Sequence, residues 1–150
     1  MTATAEAPVA LWAPGHYAVP VDEITIGHRH REYIPEKAEA LRPSIRLVGL
    51  LHPITVRTNR QLVIGRHRLE AVRLEGQATI MAEVRDMTDL EAELAQLDEN
   101  LGRADLDFLQ QSEHLLRRRE ILEEMGVTFA VRGDNRHTLA VDPNRDSGLL

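Results

Sequence analysis

The sequence predicts a mixed α/β domain, in which a small mixed sheet is flanked by helices and followed by a long C-terminal helix. Short alternating or β-rich runs predict the strands, and they are interleaved with segments whose apolar residues recur at helical spacing. The helical segments also carry start and stop residues, such as Pro35 in a first turn and Gly76 after a last one.

Four strands are predicted, at residues 19–26, 54–57, 62–64 and 79–85. The second and third form a hairpin around the polar turn at residues 58–60. Each strand is short, as expected for a small sheet whose remaining surface is covered by helices.

The first helix is predicted to open at Pro35 and to run through Leu41. Pro43 should then kink it or start a second short helix as far as residue 48, which Gly49 would close. A second helix is predicted for residues 66–75.

Two capped helices follow in the last third of the chain. Thr88 and Glu91 have the spacing of a capping box, which opens a helix toward Leu97. Asp107 caps the last, long helix, and Gly126 ends it. The apolar residues of this helix recur at helical spacing and are expected to face the core, with a stripe that faces a partner as the less favoured alternative: Leu109, Leu115, Leu116, Ile121 and Leu122.

These elements divide the chain into a flexible N-terminal arm at residues 1–18, one domain at 19–126 and an irregular tail at 127–150. There is no cysteine, so disulfides, thiolate zinc sites and thiol chemistry are excluded. The N-terminus lacks the basic and apolar regions of a signal peptide, and no run has the length of a transmembrane span. We therefore expect a cytoplasmic protein without a membrane partner.

The net charge of −6 argues against a protein that coats DNA indiscriminately, because that activity needs a positive surface. The charge is nevertheless divided along the chain. Basic residues dominate between Arg29 and Arg73, and acidic residues dominate between Glu75 and Asp107. Such a division suits a polyanion bound beside an acidic edge that holds a metal, and it also fits two solvated faces of opposite sign.

The strongest functional signal is the passage from a β-rich run through Gly65 into a basic helix start. A helix N-terminus presents unpaired backbone N–H groups and a partial positive charge, which together bind anions. Arg66, His67 and Arg68 add side-chain donors suited to phosphate oxygens at the same point. The sequence therefore predicts a phosphate-binding turn at residues 65–68.

A second signal follows about thirty residues later, where Glu99 and Asn100 stand side by side. Carboxylate and carboxamide oxygens are hard donors of the kind that Mg²⁺ prefers. A phosphate-binding turn combined with this pair predicts a site for a nucleotide and its metal ion.

The order of these elements resembles the N-terminal domain of the ParB family, the chromosome and plasmid partition proteins, over residues 19–125. This domain shares its ParB/sulfiredoxin-like fold with sulfiredoxin. Three blocks carry the resemblance: GLLHPI at residues 49–54, GRHRLEA at 65–71 and ENLGRADL at 99–106. Three blocks at compatible spacing are considerably more specific than one.

The resemblance implies that the domain binds CTP with Mg²⁺ and acts as a switch, with ATP as the other candidate nucleotide. It implies three groups of site residues. The phosphate-binding residues are Gly65, Arg68 and Arg103, to which the basic helix start adds Arg66 and His67. The metal-binding residues are Glu99 and Asn100, and the pocket-wall residues are Gly49, Leu50, His52 and Arg31.

The chain departs from the family pattern at three positions. Arg66 stands where the family has glutamate, so we expect nucleotide binding to survive better than hydrolysis and any NTPase activity to be slow. His52 and Gly102 each replace a glutamine. Sulfiredoxin chemistry is excluded, because it needs a cysteine and the chain has none.

The resemblance implies a nucleotide-dependent homodimer as a further partner. We expect DNA contact only indirectly or through a helix-turn-helix region, for which the stretch after Gly126 is too short. Two alternatives remain open at this point. The same pocket could perform nuclease or ATP-dependent, kinase-type phosphoryl transfer, or the domain could be a degenerate protein-interaction module that has lost its nucleotide.

Overall fold

A computed structural model of the chain describes residues 10–29, 31–103 and 106–128. The strands are β1 (Gly15–Pro20), β2 (Ile54–Arg57), β3 (Leu62–Ile64) and β4 (Thr79–Arg85). The helices are α1 (Pro35–Val48), α2 (Arg66–Leu74), α3 (Asp89–Leu101) and α4 (Phe108–Glu124), and a short 3-10 helix covers Val21–Glu23. None of the helices among the described residues combines the length and the apolar character that crossing a membrane requires.

The strands form one mixed sheet in the order β1-β4-β2-β3. β4 lies antiparallel to β1 and parallel to β2, while β2 and β3 form an antiparallel hairpin. β3 and β4 are not neighbours in the sheet, so the chain crosses over from one to the other, and α2 makes that connection.

The main core is formed by apolar residues from the sheet, α1 and α2. It contains the fully buried side chains of Ile54, Val56 and Leu69. A few further apolar residues are buried outside this cluster, where α3 lies against β3 and α4 lies against α3: Val63, Ala92, Leu97 and Ile121. The helices α3 and α4 therefore form a second layer at the β3 edge.

Ion pairs join α1 to the end of α2, and α4 to α3. Glu75, after the end of α2, accepts hydrogen bonds from Arg42 at 2.7 Å and from Arg46 at 2.8 Å, both on α1. These hydrogen bonds lower the pKa of Glu75 to about 2. Arg117 binds Glu93 at 2.6 Å, so that α4 is tied to α3.

The strands at 54–57, 62–64 and 79–85 have the predicted bounds, whereas the first strand does not. β1 covers Gly15–Pro20 and therefore begins inside the segment predicted as an arm. The predicted strand at 19–26 is wrong beyond Pro20, because the chain turns into the 3-10 helix there. The residue ranges 1–9 and 129–150, which include half of the predicted arm and most of the predicted tail, lie outside the described residues.

Of the two interruptions predicted at Pro43, the second short helix is wrong, since α1 is a single helix that contains this proline, whereas the kink stays a prediction. Pro43 is exposed, so its ring points away from the packed face. Gly49 ends the helix, as predicted, with a positive φ of 76°.

The apolar stripe of α4 is only partly in the core. Ile121 is fully buried, but Leu109, Leu115 and Leu116 are exposed, so their predicted core position is wrong. The stripe that does face α3 includes His114 and Ile121 together with the paired Arg117 and Arg118.

Candidate functional site

The turn at Gly65 joins β3 to α2 in a conformation that favours glycine. Its φ of 109° and ψ of 32° lie in the left-handed region, and an added Cβ would lie 2.6 Å from Ile54 Cγ2. Gly65 provides no side chain to cap α2, so the first N–H groups of the helix face the site without a side-chain cap.

Arg68, in the first turn of α2, is held by backbone carbonyls. Its Nη1 donates to the carbonyl oxygens of His52 at 2.9 Å and Pro53 at 2.8 Å. Burial lowers the pKa of Arg68, and the charge of Arg103 adds to that effect while Glu99 opposes it. Carbonyls orient the guanidinium without neutralising it, so its charge remains available to an anion.

Arg29 is held in the same way, by carbonyls of β3. Its Nη1 donates to the carbonyl oxygens of Val63 at 2.7 Å and Leu62 at 3.3 Å. Burial, followed by the nearby charge of Arg66, lowers the pKa of Arg29 to about 10. Arg29 was not among the predicted site residues, and the only signal for it in the sequence is its place in a basic loop.

His67 connects this loop to the start of α2. Its Nε2 accepts a hydrogen bond from the backbone N–H of Ile34 at 3.2 Å, so the imidazole is neutral with its proton on Nδ1. The ring also stacks on Tyr33, with the ring centres 5.5 Å apart. Burial lowers the pKa of His67, and the charge of Arg31 lowers it further.

Arg66 lies over the ring of Tyr33, with its Cζ 5.0 Å from the ring centre. Its Nη2 is 3.5 Å from Glu70 Oε1, one helical turn later. Its Nε is buried without a hydrogen-bond partner. A buried donor without a partner costs free energy, so an acceptor bound in the site would stabilise the Arg66 side chain.

The end of α3 forms the opposite wall. Glu99 Oε1 accepts a hydrogen bond from Arg103 Nη2 at 2.7 Å, and Asn100 is buried beside it. Both residues belong to the last turn of α3, because the helix extends to Leu101 and not only toward Leu97 as predicted.

The two walls enclose a cavity of about 190 Å³. Eight of the predicted site residues line it: Arg31, Gly65, Arg66, His67, Arg68, Glu99, Asn100 and Arg103. The predicted wall residues Gly49, Leu50 and His52 are not part of this lining, although His52 supplies a carbonyl to Arg68. Their role in the pocket wall stays a prediction.

The oxygen donors at the end of α3 can hold Mg²⁺ only if a bound phosphorylated ligand supplies further oxygens. Among the described residues there is no group of three or more histidine, cysteine, aspartate or glutamate side chains that could hold a metal ion. Glu99 and Asn100 could supply two oxygens, and Mg²⁺ commonly takes its remaining ligands from substrate phosphates and water. The residues present therefore fit a metal that arrives with a phosphorylated ligand.

The arrangement of sheet, turn and helices has counterparts among known proteins. A family model of the ParB N-terminal domain matches residues 14–101 of this chain. The chain belongs to the ParB N-terminal domain family. The predicted resemblance is thereby confirmed.

Among its relatives is the chromosome-partitioning protein ParB of Myxococcus xanthus, which is 32% identical over 138 residues. That alignment covers 84% of this chain and 45% of the relative. The chain spans 29% of the length of the plasmid-partitioning protein ParB of Xylella fastidiosa and 45% of that of the Myxococcus xanthus protein.

The fold is also found in solved structures of a C-terminally truncated ParB from Caulobacter crescentus. In complex with CTPγS, that protein matches with a TM-score of 0.54 and 30% identity, covering 76% of this chain and 66% of that one. Bound to the centromeric parS site, it matches with a TM-score of 0.59 and 26% identity, covering 75% and 59%. The predicted mixed α/β fold class is confirmed by these likenesses and by the sheet itself.

Proposed function

We propose that this ParB domain binds a nucleoside triphosphate, with CTP favoured over ATP, in the cavity between the Gly65 turn and the end of α3. The observation that carries the proposal is the concentration of arginines around one helix N-terminus. Arg29 and Arg68 are held by carbonyls, and Arg31, Arg66 and Arg103 line the same space. Polyphosphate is the ligand class that such a site suits best.

The choice of CTP rests on the ParB of Caulobacter crescentus, whose solved complex contains CTPγS. Mg²⁺ would be held by Glu99 and Asn100 together with phosphate oxygens. When bound, it would neutralise phosphate charge beside the acidic end of α3. Arg103 now binds Glu99, and it would be released toward the phosphates once the metal engages that carboxylate.

Hydrolysis is expected to be slow at most. A hydrolytic site needs a group that orients or activates water, and Arg66 cannot accept a proton at neutral pH. Glu70, the nearest carboxylate along α2, is already engaged with Arg66 and with Arg73. We propose a nucleotide-binding switch rather than an efficient enzyme.

At the level of the whole protein, we propose a role in plasmid or chromosome partition, or in a related DNA-associated process. The names of the relatives support this role. A nucleotide-dependent homodimer is the proposed output, and DNA would be contacted indirectly or through a helix-turn-helix region.

Isothermal titration calorimetry with CTP, ATP, GTP and UTP, each with and without Mg²⁺, tests the proposal. Selective, Mg²⁺-dependent binding of CTP is the expected result. A preference for ATP would instead favour the alternative function, kinase-type phosphoryl transfer in the same pocket. No binding of any of the four would contradict the proposal and favour a protein-interaction module.

A further inference from the structure

Arg57, at the end of β2, places its guanidinium against the connection between β4 and α3. Its Nε and Nη2 both donate to the carbonyl oxygen of Met87, at 3.0 and 2.6 Å. Its Nη1 donates to Asp89 Oδ1 at 2.7 Å and to Gln61 Oε1 at 2.9 Å. All three nitrogens are engaged, and the Arg57 side chain is only 12% exposed.

These hydrogen bonds act where α3 begins. Met87 directly precedes Thr88, whose hydroxyl caps the helix by accepting the N–H of Glu91 at 3.2 Å. Asp89 is the first residue of the helix. Arg57 therefore ties both the residue before the cap and the first helical residue to the sheet.

Ala92 is the one buried apolar residue in the first turn of α3. A second cavity, of about 200 Å³, lies between the helix and the end of β2. Its lining is mostly polar: His28, Arg57, Gln61, Asp89, Ala92, Glu93 and Gln96. Because apolar side chains do not fill this space, the hydrogen bonds of Arg57 supply the restraint.

The far end of the same helix carries Glu99 and Asn100 into the proposed nucleotide site. α3 has 13 residues, which corresponds to a length of about 18 Å. Over that length, a tilt of about 3° at the Arg57 end moves the other end by about 1 Å. Errors of this size are large for a site that depends on precise placement of its groups.

We infer that Arg57 is a positioning residue for the nucleotide site. It fixes the angle of α3 against the sheet, and so it sets the distance between the Glu99–Asn100 pair and the Gly65 turn. The inference rests on the proposed function, since that function makes this distance important.

Calorimetry with CTP and Mg²⁺ tests the inference in two matched pairs of variants. Arg57→Met is compared with Arg85→Met, because Arg85 is the cross-strand partner of Arg57 on β4 and its side chain is 59% exposed. We expect Kd to rise about tenfold in Arg57→Met and to change little in Arg85→Met.

The second pair is milder and protects the test against a variant that does not fold. Asp89 is 94% exposed, so Asp89→Ala removes one contact of Arg57 without disturbing the core. Glu91→Ala removes another exposed carboxylate from the same helical turn and serves as its control. We expect a rise in Kd of about threefold for Asp89→Ala only.

A distance measurement separates positioning from general stability. The chain has no cysteine, so spin labels can be attached at Gln77→Cys, after α2, and at Glu113→Cys on α4. α4 reports on α3 because Arg117 and Arg118 bind Glu93 and Asp98. We expect the label distance to shift or broaden in Arg57→Met, and not in Arg85→Met.

Unchanged nucleotide affinity in Arg57→Met, or in Asp89→Ala if the former does not fold, would overturn the inference. A loss of affinity with an unchanged label distance would overturn it as well. If the parent chain binds no nucleotide, the proposed function fails, whereas the label distances still decide whether Arg57 positions α3.

Discussion

The backbone conformation of Gly65 is required both by the fold and by the proposed site. Its left-handed conformation lets β3 turn into α2, and the close approach of Ile54 leaves no room for a side chain. The turn brings the N-terminus of α2 and the donors of Arg68 to one side of the cavity.

Gly65→Ala should therefore destabilise the domain and weaken nucleotide binding. The strained φ and the contact with Ile54 together should lower the free energy of unfolding by about 1–3 kcal/mol, measured by urea denaturation. Gly76→Ala is the matched control, because Gly76 also has a positive φ but no atom lies within 4 Å of its added Cβ. An equal loss in both variants would show that the approach of Ile54 is unimportant.

We expect His67 to make the stability of the domain depend on pH. Its pKa is lowered below the ordinary value of 6.5 in the folded state, so the unfolded chain binds more protons as the pH falls through this window. The contribution of His67 to stability is therefore intact above pH 6.5 and is lost as the pH falls toward the folded-state pKa. Protonation also removes the acceptor for the N–H of Ile34.

Unfolding free energies of the parent chain and of His67→Gln, measured between about pH 7.5 and pH 5, test this. Glutamine can still accept a hydrogen bond but does not titrate in this range. We expect the parent to lose more stability than the variant on acidification. Parallel pH profiles would contradict the assigned role of His67.

At the scale of the elements, α1 contains an exposed proline, Pro43, in its interior. Pro43 cannot donate to the carbonyl of Glu39, one turn earlier, and its ring crowds that turn. Pro43→Ala should raise the free energy of unfolding by about 1 kcal/mol, because the gained hydrogen bond outweighs the added freedom of the unfolded chain. Thermal unfolding measures the gain, and Pro35→Ala at the helix start should not reproduce it. A lower melting temperature for Pro43→Ala would contradict this account.

The sequence predicted the elements whose signals are local. The hairpin of β2 and β3, the strand β4 and the capped starts of α3 and α4 all depend on alternation, turns or caps within a few residues. β1 was placed too late because Pro14 and Gly15 indicated a loop, while the alternation that predicted the strand continues beyond Pro20 as far as Ile26.

The burial of the α4 residues and the position of Arg29 depend on tertiary contacts, which the sequence did not reveal. Helical spacing identifies an apolar stripe on α4, but it does not say whether another element covers that stripe, and Leu109 and Leu116 are exposed. Arg29 joins the site only because β3 offers two carbonyl oxygens to it, a contact between residues more than thirty positions apart. The motif residues of the site were predictable, and the carbonyls that hold their guanidinium groups were not.

At the scale of the whole molecule, the candidate site lies between two layers. The sheet, α1 and α2 provide the Gly65 turn, whereas α3 and α4, joined by the pairs of Arg117 and Arg118, provide the metal-capable end. A ligand that binds both layers stabilises their arrangement relative to the unfolded chain.

Glu99→Gln tests the contribution of the second layer. It keeps the size of the side chain but removes the charge that would hold Mg²⁺ and that now binds Arg103. In calorimetry with CTP, the parent should gain affinity when Mg²⁺ is added, and Glu99→Gln should lose most of that gain. Glu91→Gln, at an exposed position on the same helix, should behave like the parent. An undiminished Mg²⁺ effect in Glu99→Gln would assign the metal to other groups.

The affinity of Arg68→Ala for CTP with Mg²⁺, relative to the parent chain, tests the central claim most directly. Arg68 is the motif residue whose guanidinium is oriented into the cavity by the carbonyls of His52 and Pro53. Removal of a charge-assisted phosphate contact should weaken binding by about tenfold to a hundredfold, while Arg68→Lys retains part of the affinity. If Arg68→Ala binds the nucleotide as tightly as the parent does, the phosphate site is not at this turn.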